Sequence, residues 1–208
     1  MTRRLLLAFL LLAACGQSSA GTADAAAQGQ PARTERAIFA GGCFWSTERD
    51  MEAVPGVISA VSGLTGGRTA NPTYEQSLRT DTGHREAVLV TYDPARISYA
   101  ELVRRFLRTI DPTDAEGQFC DRGPGYRTAV FAMNPIQRRE AMAAITEANR
   151  ALGGRVVTPV INSGRFYPAG PEHQDYARRN SERYDRYRTG CRKDARLREV
   201  WGDQAAGH

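Results

Sequence analysis

Lysine is almost missing from this chain of 208 residues: 27 of its 28 basic side chains are arginines and one, Lys193, is a lysine. Long basic runs are missing as well. The densest stretch, Arg183-Tyr184-Asp185-Arg186-Tyr187-Arg188, is broken by Asp185 and preceded by Glu182, so it reads as a solvated helix face. With a formal net charge of only +5, the arginine excess reads as compositional bias, and no nucleic-acid partner is expected. The sequence has no Cys-x-x-Cys pair, and His84, His173 and His208 lack zinc-ligand spacing. Neither a metal nor any other cofactor is expected. No internal repeat recurs at a fixed period, which excludes a solenoid. The longest apolar run, Leu5 to Leu12, is too short to span a bilayer.

That run has a different use. Met1-Thr2-Arg3-Arg4 is a basic segment before it, and Leu12-Ala13-Ala14-Cys15-Gly16 follows, with small residues at a cleavage point. The pattern resembles a bacterial lipoprotein signal in which Cys15 becomes the lipidated first residue; a plain secretory signal is the alternative. Residues 1–15 are therefore expected to be removed as a signal, and 16–34, rich in Ala, Gly, Gln, Ser and Thr, to form a flexible tether. The rest, 35–208, is long enough for one domain with a core that needs no staples. The expected location is membrane-anchored and facing the periplasm or cell exterior, with lipid the only contact to the membrane. Cys43, Cys120 and Cys191 remain. An odd number in an exported chain argues against a disulfide scaffold and leaves at least one reactive thiol.

The motif that organises the chain is Gly41-Gly42-Cys43-Phe44-Trp45, after the apolar run Ala37-Ile38-Phe39-Ala40. The run reads as a buried strand, the glycines as a tight turn, and Ser46 to Glu52 as a helix. Cys43 then stands where strand becomes helix, near unpaired N–H groups and the positive end of the helix dipole, both of which favour thiolate. Phe44 and Trp45 beside it suit an apolar ligand. A buried cysteine acting as a small hydrophobe is the alternative.

Further strands are expected over Gly56–Leu64, Glu86–Tyr92, Tyr126–Met133 and Arg155–Ile161. A short helix follows Asn71-Pro72-Thr73-Tyr74. Another starts at the capping-box spacing of Ser98 and Glu101, and a long one starts at Asn134-Pro135. A Gly-, Pro- and Asp-rich loop covers 111–125, a charged helix covers about 172–188, and the tail from Cys191 is polar apart from Val200 and Trp201. The alternation of strands and helices gives helices packed on one mixed sheet.

Several short motifs occur in one order: Gly42-Cys43-Phe44-Trp45, Gly66-Gly67, Asn71-Pro72-Thr73-Tyr74-Glu75, Gly83-His84-Arg85-Glu86-Ala87-Val88 and Tyr92-Asp93-Pro94. Asp111-Pro112-Thr113, Asp121-Arg122-Gly123 with Tyr126-Arg127, and His173-Gln174-Asp175-Tyr176 complete the series. In these motifs, over about residues 35–176, the chain resembles the peptide-methionine (S)-S-oxide reductases. The resemblance implies an α+β fold, a two-layer sandwich of helices on a mixed sheet with a ferredoxin-like element. It implies reduction of the S epimer of methionine sulfoxide, in proteins and as the free amino acid, by a monomeric enzyme. Cys43 would be the nucleophile and Glu86 the proton donor, desolvated so that its pKa rises. Tyr74 and Tyr126 would hydrogen-bond the sulfoxide oxygen, Asp121 would hold a water or orient its neighbours, and Phe44 and Trp45 would hold the S-methyl group. Oxidised proteins are the implied substrates, and thioredoxin or an exported thioredoxin-like protein the implied reductant.

The chain departs from the family pattern at Ser46, Leu64, Cys120 and the tail around Cys191. The last two bear on recycling. A thiol that resolves a Cys43 sulfenic acid must bring its Cα within about 7 Å. Cys191, after Thr189-Gly190 at the head of a polar tail, is expected to swing in, with Cys120 as second choice. Two other classes stay open on the residues alone: a cysteine hydrolase using His84 or His173 as base, and a lipid-anchored binding module with an aromatic pocket.

Overall fold

The computed structural model describes residues 33–79 and 82–206. The signal segment with Cys15, and the tether up to residue 32, lie outside the described residues. Strand β1 (Glu35–Ala40) is apolar on both faces because both are covered. Ala37 and Phe39 meet the helices, while Ile38 and Ala40 join Ala87, Ala129 and Phe131 on the opposite side. After β1 come α1 (Phe44–Glu52), β2 (Val57–Thr65), α2 (Tyr74–Arg79), β3 (Arg85–Tyr92) and α3 (Tyr99–Leu107). A two-residue-stranded hairpin, β4 (Gly117–Gln118) and β5 (Asp121–Arg122), leads through a 3₁₀ turn (Pro124–Tyr126) to β6 (Ala129–Ala132) and α4 (Pro135–Ala151). Then come β7 (Val160–Asn162), β8 (Tyr167–Pro168), α5 (Tyr176–Arg179), α6 (Ser181–Gly190) and α7 (Lys193–Trp201).

The six-stranded sheet runs β7-β6-β1-β3-β2-β8. Its pairs are antiparallel except β6 with β7, so the sheet is mixed. The inner four strands, β6-β1-β3-β2, form the ferredoxin-like element, and the α+β sandwich expected from the sequence is the fold found. Alternation along β3 fixes which way its one carboxylate points. Val88, Val90 and Tyr92 lie in the helix-side core, which places Glu86 on the same face.

The helices are held by local chemistry and packing. Ser98 caps α3 by accepting the Glu101 N–H at 3.2 Å, and Asn134 caps α4 by accepting that of Gln137 at 2.9 Å. Phe106 of α3 stacks on Phe39 with ring centroids 4.6 Å apart. The core residues that α4 buries are small, Ala141, Ala144 and Ala148, with the partly buried Ile145 packed beside them. Met51 is fully buried in α1, whereas Met133 and Met142 are exposed, one just after β6 and the other on α4.

Four expectations are corrected. The strand expected at Arg155–Ile161 is the shorter β7, because residues 155–159 pair by isolated bonds such as Val157 N–H to Pro112 O. The loop over 111–125 contains the β4–β5 hairpin. The helix at about 172–188 is two helices, broken at Asn180, whose ψ of 46° is not helical. The polar tail is a helix. Leu197 and Trp201 of α7 are buried in the main core, and Trp201 Nε1 donates to Ile110 O at 3.0 Å.

That C-terminal helix is also tied by charge. Asp50 of α1, buried, accepts from Arg188 Nη1 at 2.9 Å and Lys193 Nζ at 2.7 Å. All three side chains are at most 5% exposed, so removing one partner would strand a buried charge. Trp201→Ala should lower stability by about 3–5 kcal/mol, the usual range for a truncated core aromatic. Urea unfolding measures it; a midpoint equal to that of the parent would show that α7 is not part of the core.

Candidate active site

Cys43 is the N-cap residue of α1, with its carbonyl accepting from Ser46 and Thr47 N–H at 3.1 and 3.2 Å. The turn that delivers it needs glycine. Gly42 has φ of +83°, and a Cβ there would lie 2.5 Å from Gln118 Cβ. Gln118 is itself locked, accepting from Asp111 N–H and donating to Asp111 O, both at 2.8 Å. The strand-to-helix position read from the sequence is thus the one observed.

The first free N–H of α1, that of Phe44, is donated to Glu86 Oε2 at 2.9 Å. The register of β3 and the N-terminus of α1 therefore bring the carboxyl against the thiol. Glu86 is 2% exposed, and burial pushes its pKa up to about 8, with Asp121 adding to the rise and the Phe44 N–H opposing it. Its other oxygen, Oε1, has no hydrogen-bond partner among the described residues. A buried carboxyl oxygen left open is suited to a ligand.

Tyr74 at the start of α2 and Tyr126 at the end of the 3₁₀ turn both lie near Glu86 and Cys43. Burial, then the Glu86 charge, raises each phenol, so both stay protonated donors. Asp121 at the start of β5 accepts from the Tyr187 hydroxyl. Burial raises Asp121, while that hydroxyl and the Lys193 ammonium pull it down. Cys43, Glu86, Tyr74, Tyr126 and Asp121, dispersed along the sequence from α1 to the 3₁₀ turn, are one cluster.

The cysteine departs from one expectation. Its thiol is pushed up rather than down, first by burial and then by the charges of Glu86 and Asp121. The Tyr187 hydroxyl and the Trp45 N–H pull the other way without winning. Thiolate is favoured by a helix N-terminus only where the thiol is not walled in by carboxylates; here the resting form is the thiol.

Phe44, 1% exposed, is the floor of an aromatic box, stacked with Tyr74 at 5.9 Å and tilted against His173 at 5.3 Å. Trp45, half-buried, stacks on Tyr176 at 3.7 Å. The loop that brings His173 is anchored to α1, since Asp175 N–H donates to Glu48 Oε2 at 3.0 Å.

His84 is no base. It is buried, with Nδ1 accepting from Gly67 N–H at 3.2 Å and Nε2 against Thr69 O at 2.8 Å, so its ring holds a loop. His173 stands instead in the aromatic box, its ring against Phe44 and Tyr74 and its buried Nδ1 without a hydrogen-bond partner among the described residues.

Sequence reasoning missed Tyr187, whose neighbourhood reads as a solvated face. The inward stripe is Tyr184, Tyr187, Arg188 and Cys191, at i, i+3, i+4 and i+7. That spacing, masked by the arginines between, was the signal available.

Cys120 and Cys191, the two candidates for resolving Cys43, are bonded to each other across 71 residues of sequence, with Cα atoms 5.2 Å apart. Cys43 is free. Cys191 is not at the head of a loose tail: it closes α6, with its N–H on Tyr187 O at 2.9 Å, and α7 follows directly.

A ferredoxin-like α+β sandwich, one free thiol at a helix start beside a protonatable carboxyl, and a separate disulfide within the same chain define a thiol-based oxidoreductase. The chain belongs to the peptide methionine sulfoxide reductase family, whose model matches residues 35–205. It is 51% identical over 174 residues to the peptide methionine sulfoxide reductase MsrA 2 of Rhizobium meliloti, covering 84% of this chain and 87% of that one. With the MsrA 2 of Caulobacter vibrioides it shares 53% over 171 residues, 82% and 87% of the two chains. Among solved structures, the methionine sulfoxide reductase A of Corynebacterium diphtheriae superposes with a TM-score of 0.68 at 33% identity, covering 74% of this chain and 77% of that one. The reduced form of Mxr1 from Saccharomyces cerevisiae gives 0.69 at 27%, covering 74% and 89%. The chain is an oxidoreductase of methionine sulfoxide.

Proposed function

We propose that this enzyme reduces the S epimer of methionine sulfoxide, in proteins and as the free amino acid, with Cys43 as nucleophile and Glu86 as proton relay. The observation that carries the reading is the Phe44 N–H to Glu86 contact, which sets a neutral carboxyl beside a neutral thiol. The sulfoxide oxygen takes the proton of Glu86 while the Tyr74 and Tyr126 hydroxyls hydrogen-bond it. The Glu86 carboxylate so formed takes the Cys43 proton, and the sulfur attacks. The sulfur–oxygen bond breaks, the hydroxyl passes to Cys43 as sulfenic acid, and the thioether leaves reduced by two electrons. A thiol with a raised pKa therefore suits the site, because its proton has a receiver only after the substrate has been activated. Phe44 and Trp45 hold the S-methyl group, and the Asp121–Tyr187 pair fixes the polar side.

Cys191 then attacks the sulfenic acid, releasing water and forming a Cys43–Cys191 disulfide. Cys120 displaces Cys43 from it, giving the Cys120–Cys191 pair and a free Cys43, the pairing present here. A thioredoxin-like dithiol protein reopens that pair. Lipidation of Cys15 would hold the enzyme at a membrane facing an oxidising space; in cell fractions Cys15→Ser should move the protein out of the membrane, and an unmoved variant would exclude the anchor.

The test of the reaction is direct. Residues 35–208 with dithiothreitol should convert the S epimer of a blocked methionine sulfoxide to thioether and leave the R epimer. Faster loss of the R epimer would reject the reading.

A further inference from the structure

We propose that the recycling disulfide is opened from its Cys120 end: a protein dithiol docks over the tip of the β4–β5 hairpin and attacks Cys120 Sγ, and Cys191 leaves as thiolate. The inference rests on the reading of Cys120 and Cys191 as the recycling pair.

Attack on a disulfide runs along the sulfur–sulfur axis, so the sulfur attacked must be open on the side away from its partner. Cys120 is exposed and Cys191 half-buried. The difference is built into the fold. Gln118 pairs with Asp121, leaving Phe119 and Cys120 as the two-residue turn of the hairpin. Phe119 has φ of +56°, a left-handed conformation rare for a bulky residue. Its half-buried ring packs against the core, and the Lys193 ammonium stands 5.2 Å from the ring centroid while bonded to buried Asp50 at 2.7 Å. With one turn residue held inward, the other is presented to solvent. The only lysine in the chain is the pin.

Cys191 is held from both sides, by the end of α6 and by α7 with its core residues Leu197 and Trp201. A thiolate leaving there stays in place, one helical turn after Tyr187, which faces Cys43. The freed inner sulfur is then ready for the next sulfenic acid, and the outer one is occupied by the partner.

A cleft of about 260 Å³ opens beside the bond, lined by Cys120 and Cys191 themselves and by Asp114, Phe119, Arg196 and Glu199. Its rim charges are already matched, Asp114 by Arg122 and Glu199 by Arg196 at 3.2 Å. A partner therefore meets a paired polar rim around an apolar ring and the disulfide, with Cys120 its more exposed end, the layout of a transient protein contact.

The step balances. The partner's thiolate bonds to Cys120 and the Cys120–Cys191 bond breaks, with the electron pair on Cys191. The partner's second thiol then displaces Cys120. The partner leaves as a disulfide, and this chain has gained the two electrons and two protons that the partner's dithiol gave up.

The experiment takes the enzyme after one turnover without reductant and mixes it with a thioredoxin-class protein whose second active-site cysteine is replaced by serine. Iodoacetamide stops the reaction, and peptides are mapped. The probe should be joined to Cys120, in at least about tenfold excess over Cys191 because Cys120 is exposed and Cys191 half-buried, with the alkyl group on Cys191. A mixed disulfide mainly on Cys191, or an even split, overturns the inference. So does the lack of any mixed disulfide while dithiothreitol still supports turnover. If one turnover instead leaves Cys120 and Cys191 unbonded, the recycling reading itself falls.

Discussion

Cys43→Ser should leave no measurable reduction of either sulfoxide epimer, with the fold intact. The change removes a sulfur that must form a bond to the substrate's sulfur and then carry its oxygen as a sulfenic acid. An alcohol can do neither. Folding should not suffer, because serine is one of the preferred residues at a helix N-cap and the side chains are nearly the same size. Urea midpoint and turnover, measured side by side, check both halves. Appreciable residual activity would mean that the nucleophile is another group.

Glu86→Gln should slow reduction by about 10²–10⁴-fold, the usual worth of a positioned general acid. Glutamine keeps the size and still accepts the Phe44 N–H, so the structural contact survives while the proton is lost. The pH profile separates this from a packing effect. Activity that needs the neutral carboxyl should fall as pH rises through about 8, and the variant should lack that limb. Stability has the same sign. Glu86 binds its proton more tightly folded than unfolded, so its contribution is fully present below the ordinary carboxyl pKa and is lost as pH rises through about 8. Above that pH the variant should melt at a higher temperature than the parent. A parent-like rate with a parent-like pH profile would show that the proton comes from elsewhere.

The sequence carried the site further than it carried the elements around it. Gly42 and Cys43 were legible because a glycine pair between an apolar run and a polar helix has few other uses, and Gln118 now shows what that glycine clears. Glu86 lay on a strand whose alternate residues face the helices, so its face followed from period two. The sense of the Cys43 shift was not legible, because it depends on two carboxylates brought in from β3 and β5. Nor was the tail. Its inward residues, Leu197 and Trp201, are only two among many polar ones, and the buried Asp50–Arg188–Lys193 group that seats them spans the length of the domain. The partner of Cys191 was similarly hidden: pairing over 71 residues depends on where a hairpin tip lands.

The methionines are arranged by what oxidation would cost. Met133 and Met142 stand in water, where turning a thioether into a sulfoxide only makes an exposed chain more polar. Met51 has no exposed surface and packs in the core from the helix that Cys43 caps, where the same oxygen would have no room and no partner. Of the methionines among the described residues, an oxidant in solution thus meets the two exposed ones first. Damage of that kind leaves the repair machinery standing, and leaves on its surface two side chains of the sort that another copy of the enzyme can restore.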